Sequence, residues 1–152
     1  MSEFSRPGAF LQVLRAAVTY WAVVFGTGFV LGTIRVLLVV PRLGERAAEL
    51  IESPLMLMAT ILTARWIIRR FPAASAPLNA LIIGFVALGL LVVAELGLVM
   101  LRGVAFSEYI ASRDPVSGAV YLAMLLAFAI MPRLFVQRYY FCALVLSLAS
   151  TS

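Results

Sequence analysis

Three long stretches without charged residues constrain the fold of this chain more than any other feature. Residues 16–34, 71–94 and 115–132 contain 19, 24 and 18 uncharged and mainly apolar residues. A helix needs about 20 apolar residues to cross a hydrocarbon layer roughly 30 Å thick. Each stretch therefore predicts a membrane-spanning helix, and after Arg35 the apolar run of the first one resumes over residues 36–40 up to Pro41.

A fourth apolar stretch is shorter and contains charges at both ends. Only 12 uncharged residues separate Glu52 from Arg65, which is too few to cross a bilayer alone. A helix over residues 47–68 reaches the required length by including Glu49, Glu52 and Arg65, and a short re-entrant helix is the alternative. We predict an all-α polytopic membrane protein, a four-transmembrane-helix bundle forming one domain over residues 1–152, with helices at about 9–40, 47–68, 78–101 and 116–136.

The apolar segment at residues 139–149 is too short to span a bilayer. Three arrangements are compatible with it. It lies along the membrane, packs on a partner, or extends the fourth helix beyond Pro132.

The composition agrees with a membrane location. The chain is 64% hydrophobic and 12% charged, with a mean hydropathy of +1.08, whereas soluble domains hold about 25% charged residues. The net charge is +5, but the arginines are scattered singly or in pairs, so no basic patch for nucleic acid is present. We expect the lipid bilayer, and no nucleic acid, as a partner.

The absence of histidine and the single cysteine, Cys142, restrict the chemistry further. An internal disulfide, a Cys/His metal site and catalysis by a histidine base are excluded. We expect no metal, no cofactor and no enzymatic activity. An enzyme would have to use Glu52 or Glu95 as its base.

The distribution of arginines predicts the orientation. With four spans, one side of the membrane holds six arginines and one glutamate, whereas the other holds four arginines and four acidic residues. Cytoplasmic segments are enriched in basic residues, so we predict that both termini are cytoplasmic.

Charged residues inside the predicted spans lie at one depth. At about 1.5 Å of rise per residue, Arg35, Glu52 and Glu95 all lie about 8 to 9 Å inside the extracytoplasmic end of their helices. An unpaired charge at the centre of a bilayer costs about 3 kcal/mol. We predict that Arg35 bridges Glu52, Glu95 or both, with Glu49 and Arg102 joining at the rim. The cluster either holds the helices together or forms a site for an ion, a proton or a polar headgroup.

Gly28 and Gly32 have the G-x-x-x-G spacing that lets membrane helices approach closely. We expect them to pack against a helix of the same chain, with a homo-oligomer contact as the alternative.

The run GFVLGTIRVLLVVPRLGERAAELIESPLMLMATILTARW, about a quarter of the chain, resembles uncharacterised small four-helix inner-membrane proteins of Gram-negative bacteria. The elements of this resemblance are Gly28, Gly32, Arg35, Pro41, Gly44, Glu52, Pro54, Ala64 and Arg65. It implies a bacterial inner-membrane location and no particular activity.

Three functional hypotheses follow. The first is a small non-enzymatic membrane protein, either an accessory or assembly subunit of a larger membrane complex or a binder of a polar or lipid ligand. The second is a small oligomeric transporter or proton-linked carrier, and the third is a membrane-embedded enzyme.

Overall fold

The computed structural model describes residues 7–101 and 115–149, which form four long helices. Helix 1 consists of Pro7–Ile34, a π-helical segment at Arg35–Val39 and a last α-helical turn at Val40–Leu43. The other three are helix 2, Glu45–Arg70, helix 3, Pro77–Leu101, and helix 4, Pro115–Ala149, with a short 3-10 helix, Pro72–Ser75, between helices 2 and 3.

Each of the four helices contains a stretch long and apolar enough to cross a membrane. The chain is therefore a membrane protein with an all-α four-helix fold, as its apolar stretches predict. Helix 2 is continuous over 26 residues, so the re-entrant alternative is wrong. Residues 139–149 are not a separate segment, because helix 4 continues through Pro132 to Ala149. Residues 102–114, including Arg102, lie outside the described part of the chain.

Helix 1 extends past Pro41 because its backbone changes pitch just before the proline. The N–H of Val40 donates to the carbonyl of Arg35, five residues earlier, which is the π-helical pattern. Pro41 follows within the first positions of the last α-helical turn, where its missing N–H costs little. Gly44 then separates helices 1 and 2 with a φ of 79°, a backbone conformation that other residues rarely adopt.

The helices form a ring in the order 1, 2, 4, 3. Helix 1 packs against helices 2 and 3, and helix 4 also packs against helices 2 and 3. Helices 1 and 4 consequently lie diagonally opposite each other. Successive helices run in opposite directions, so the end of helix 1, the start of helix 2, the end of helix 3 and the start of helix 4 meet at one end of the bundle.

The bundle is tightly packed at its other end. The main core cluster joins residues from all four helices, among them Ala17, Tyr20, Ala64, Ile83 and Phe128. Many of these residues are alanines, whose small side chains let the helix axes approach closely. We call this end the packed half.

A hydrogen bond in the packed half links the two diagonal helices. Pro132 has no N–H, so the carbonyl of Phe128, four residues earlier, receives no bond from its own helix. The Tyr20 hydroxyl donates to that carbonyl at 2.9 Å, and the Tyr20 ring stacks on the Phe128 ring with centroids 4.5 Å apart. Tyr20 and Pro132 are both fully buried. Helix 1 thus supplies the hydrogen bond that the proline removes from helix 4.

Helices 3 and 4 approach each other closely at Gly84. A Cβ atom added there would collide with the backbone carbonyl of Ala129, whereas a Cβ at Gly89, on the same helix, would meet nothing within 4 Å. Gly84 is buried and Gly89 is exposed.

We expect Gly84→Ala to destabilise the bundle, because the new methyl group must push helices 3 and 4 apart. Overpacking of this kind costs about 1–3 kcal/mol, which corresponds to a fall of several degrees in the Tm of the detergent-solubilised protein. Gly89→Ala is the matched control and should leave the Tm unchanged or slightly higher. Equal Tm values for the two variants would contradict the close approach.

We also expect Tyr20→Phe to destabilise the protein by about 1–3 kcal/mol, because it leaves the Phe128 carbonyl buried without a donor. Adding Pro132→Ala should recover most of this loss, since the introduced alanine N–H can donate to the same carbonyl. The measurement is a double-mutant cycle of unfolding free energies in detergent micelles. Additive effects of the two substitutions would show that the hydroxyl does not replace the missing helical bond.

Candidate functional site

Opposite the packed half, the four helices line a half-open cavity of about 550 Å³. Residues 24–37 of helix 1, 49–60 of helix 2, 91–99 of helix 3 and 121–128 of helix 4 contribute to its lining. This volume falls in the range of about 300–1,000 Å³ that is typical of small-molecule sites. The Tyr20–Phe128 stack lies at the boundary between the cavity and the packed half, since Phe128 belongs to both.

Arg35 and two glutamates form an ion-pair cluster in this cavity. Nη1 of Arg35 donates a hydrogen bond to Oε1 of Glu49 at 3.2 Å. Nε of Arg35 lies 3.2 Å from Oε2 of Glu52, but without the alignment of a hydrogen bond. The side chains of Arg35, Glu49 and Glu52 are 26%, 20% and 17% exposed. The pairing of Arg35 with Glu52 is the one predicted from depth, and Glu49 also takes part.

The local structure of helices 1 and 2 brings these groups together. Glu49 and Glu52 are three residues apart, so they share one face of helix 2. Arg35 is the first residue of the π-helical segment, and Gly44 reverses the chain nine residues later. Both carboxylates therefore face the same guanidinium.

Glu95 has a different partner from the one expected. The Tyr121 hydroxyl, from helix 4, donates a hydrogen bond to Oε2 of Glu95. Among the described residues, no ion pair joins Glu95 to Arg35. Glu95 nevertheless lines the same cavity as Arg35, Glu49 and Glu52. Arg102, predicted at the rim, lies outside the described residues.

Tyr121 is the functional residue that sequence reasoning missed. It lies six residues after the start of helix 4, the same depth as Glu95 from the end of helix 3. A phenol lacks the large penalty that a charge carries at membrane depth, so its presence in an apolar stretch gives no signal in the sequence.

The two glycines of the G-x-x-x-G pair have different surroundings. A Cβ at Gly28 would lie 3.1 Å from the Cε of Met56 in helix 2, and a Cβ at Gly32 would meet nothing within 4 Å. Gly28 therefore lies close to helix 2, whereas Gly32 borders open space, and a homo-oligomer contact at Gly32 stays a prediction. Both glycines are cavity-lining residues, so their missing side chains enlarge the space between the helices.

The hydroxyl groups around the cavity are directed back to their own helices. Thr33, Ser53 and Thr60 each donate to the carbonyl four residues earlier, at 2.8 to 2.9 Å. Each hydroxyl hydrogen is thus bonded within its own helix and is not free to donate to a ligand. The polar chemistry open to a ligand comes mainly from the guanidinium, the three carboxylates and the phenol, and most of the remaining lining is apolar. Within the described residues, the carboxylates do not form a group that could hold a metal ion.

The apolar wall of the cavity continues to the outer surface of helix 1. Phe29 and Leu37 line the cavity and are nevertheless 61% and 67% exposed. An apolar group in the cavity would therefore border the hydrocarbon of the bilayer. Comparison of the chain with protein-family models, with curated proteins and with solved structures finds no match.

We expect Arg35→Gln to destabilise the protein, because Glu49 and Glu52 would lose their counter-ion in a poorly hydrated site. The cost should be of the order of 1–3 kcal/mol, since breaking a fully buried pair costs about 3–5 kcal/mol and this cluster is partly exposed. The Arg35→Gln/Glu52→Gln double variant should recover much of the loss, because the introduced amide can donate to the one remaining carboxylate. Thermal unfolding in detergent micelles measures both effects.

Arg42→Gln is the control, since it removes the same charge from an exposed position at the end of helix 1. If Arg35→Gln unfolds at the same temperature as Arg42→Gln, the cluster contributes nothing to stability.

Proposed function

We propose that this chain is a small non-enzymatic membrane protein that binds an amphiphilic ligand in the cavity between its four helices. The ligand's polar group lies at Arg35, Glu49, Glu52 and Glu95, and its apolar part lies among the aliphatic and aromatic side chains toward Phe128. In this role the protein is an accessory component of the membrane, acting as a homo-oligomer or within a larger membrane complex.

The observation that carries this proposal is a cavity of about 550 Å³ in a protein of only 152 residues. Charges that only join helices need no empty space beside them, and interhelical contacts in membrane proteins favour close packing. Here the charged side chains border an open volume, and Gly32 widens it. Charged side chains at membrane depth that face a cavity commonly belong to ligand or ion sites.

We further propose that the protein resides in the bacterial inner membrane with both termini in the cytoplasm. The support is the excess of arginine on the side that holds the termini and the connection between helices 2 and 3. In this orientation the cavity lies in the extracytoplasmic half of the bundle.

A small oligomeric transporter is the second candidate. It is favoured by one observation, namely that the cavity reaches both Glu52 and Glu95. The core cluster that fills the packed half favours a binding protein instead, because a carrier must also open a route through that half. Uptake of the bound probe into reconstituted vesicles would distinguish a carrier from a binder.

We expect Gly32→Leu to weaken ligand binding without unfolding the protein, because the new side chain enters open space in the cavity. Tetraphenylphosphonium and tetraphenylborate are suitable probes, since they share one shape and carry opposite charges. At least one of them should bind the wild-type protein saturably in micelles of an uncharged detergent, as measured by isothermal titration calorimetry. The substitution should weaken that binding about tenfold or more, a loss of about 1.4 kcal/mol or more.

Gly26→Leu is the matched control on the same helix. Gly26 is exposed, does not line the cavity, and has nothing within 4 Å of an added Cβ. Its substitution should leave the affinity unchanged. Binding that is insensitive to Gly32→Leu, or equally sensitive to both substitutions, would refute a ligand site in the cavity.

A further inference from the structure

The lining of the cavity carries an unequal balance of charge. Within the described residues that line it, the ionisable acids and bases are one guanidinium, Arg35, and three carboxylates, Glu49, Glu52 and Glu95. With every acid and base counted in its ordinary charged form, one positive group faces three negative groups, so the formal charge of the lining is −2. Arg35 contacts two of the carboxylates and its single charge offsets only one of them.

The neutral groups of the lining do not change this balance. The phenol of Tyr121 orients the Glu95 carboxylate by a hydrogen bond, but it donates no net charge. The hydroxyls of Thr33, Ser53 and Thr60 donate to their own helices. The excess negative charge is therefore exposed to whatever occupies the cavity, in surroundings where charges interact more strongly than in water.

The apolar part of the lining is the second feature. Phe25, Phe29 and Phe128 line the cavity at some distance from the charged groups, since Phe25 precedes Arg35 by ten residues on helix 1 and Phe128 follows Tyr121 by seven on helix 4. These rings offer contact area to apolar groups. A cavity with an excess of carboxylates at one end and phenylalanines farther in thus suits a cation that carries a hydrocarbon part.

We propose that the polar group of the ligand is cationic, a protonated amine or a quaternary onium group, which lies between Glu95 and the Arg35–Glu49–Glu52 cluster. The proposal rests on the ligand-binding function above and adds the sign of the ligand's charge. An anionic group in the same place would bring a further negative charge beside the three carboxylates, with only Arg35 to attract it.

The two probes of opposite charge test this sign directly. In uncharged micelles, the part of the binding that Gly32→Leu removes is the binding in the cavity. In this cavity binding, tetraphenylphosphonium should bind at least about tenfold more tightly than tetraphenylborate.

Glu95→Gln should weaken the binding of tetraphenylphosphonium about tenfold, because it removes one negative charge from the lining. Glu45→Gln removes the same charge from the exposed start of helix 2 and should have no effect.

The Arg35→Gln/Glu52→Gln double variant separates a cation site from an anion site. It removes one charge of each sign, so the formal charge of the lining stays at −2. This variant should keep the preference of at least about tenfold for tetraphenylphosphonium over tetraphenylborate. If Arg35 held an anionic group, the same variant would lose its binding. Size-exclusion profiles establish that each variant is folded, and Glu49→Gln replaces Glu95→Gln if the latter does not fold.

The outcomes distinguish the two proposals. Cavity binding of neither probe would overturn the ligand-binding function and the charge assignment together. Cavity binding of tetraphenylborate as tight as that of tetraphenylphosphonium would leave the ligand-binding function intact and overturn the cationic assignment. Equal effects of Glu95→Gln and Glu45→Gln would also overturn it.

Discussion

The hydrocarbon of a bilayer offers no hydrogen bonds, so every polar group at membrane depth depends on a partner within the protein. In this bundle the most consequential partner is the Tyr20 hydroxyl, which bonds to the Phe128 carbonyl. That one contact lets helix 4 tolerate Pro132 in its middle and joins the two helices that lie diagonally opposite in the ring. The alanine-rich core forms around it.

The same contact defines where close packing ends. On one side of Phe128 the helices are held together by small side chains and by the approach of Gly84 to Ala129. On the other side they line a half-open cavity, which contains Arg35 and the three glutamates Glu49, Glu52 and Glu95. Close packing of the hydrophobic core thus lies in one half of the bundle, and the charged groups that a ligand can reach lie in the other.

Sequence patterns predict the helices well because membrane thickness sets a length that apolar stretches must meet. They also predict the Arg35–Glu52 pair, since the cost of an unpaired charge at depth leaves few alternatives. They do not predict that Tyr121 is the partner of Glu95, or that Tyr20 is the partner of a carbonyl freed by Pro132. These partners are neutral, and their positions depend on the order of the helices in the ring. Apolar stretches carry no information about that order.

The π-helical segment has a consequence for the charged cluster. A π turn holds one more residue than the α turn it replaces, and each residue of an α-helix turns the chain by about 100°. The last turn of helix 1, and with it the direction in which Gly44 starts helix 2, is therefore rotated from the position that an unbroken α-helix would give. Arg35 precedes that extra residue, and Glu49 and Glu52 follow it. The single extra residue therefore determines the rotation about the helix axis at which Glu49 and Glu52 face Arg35.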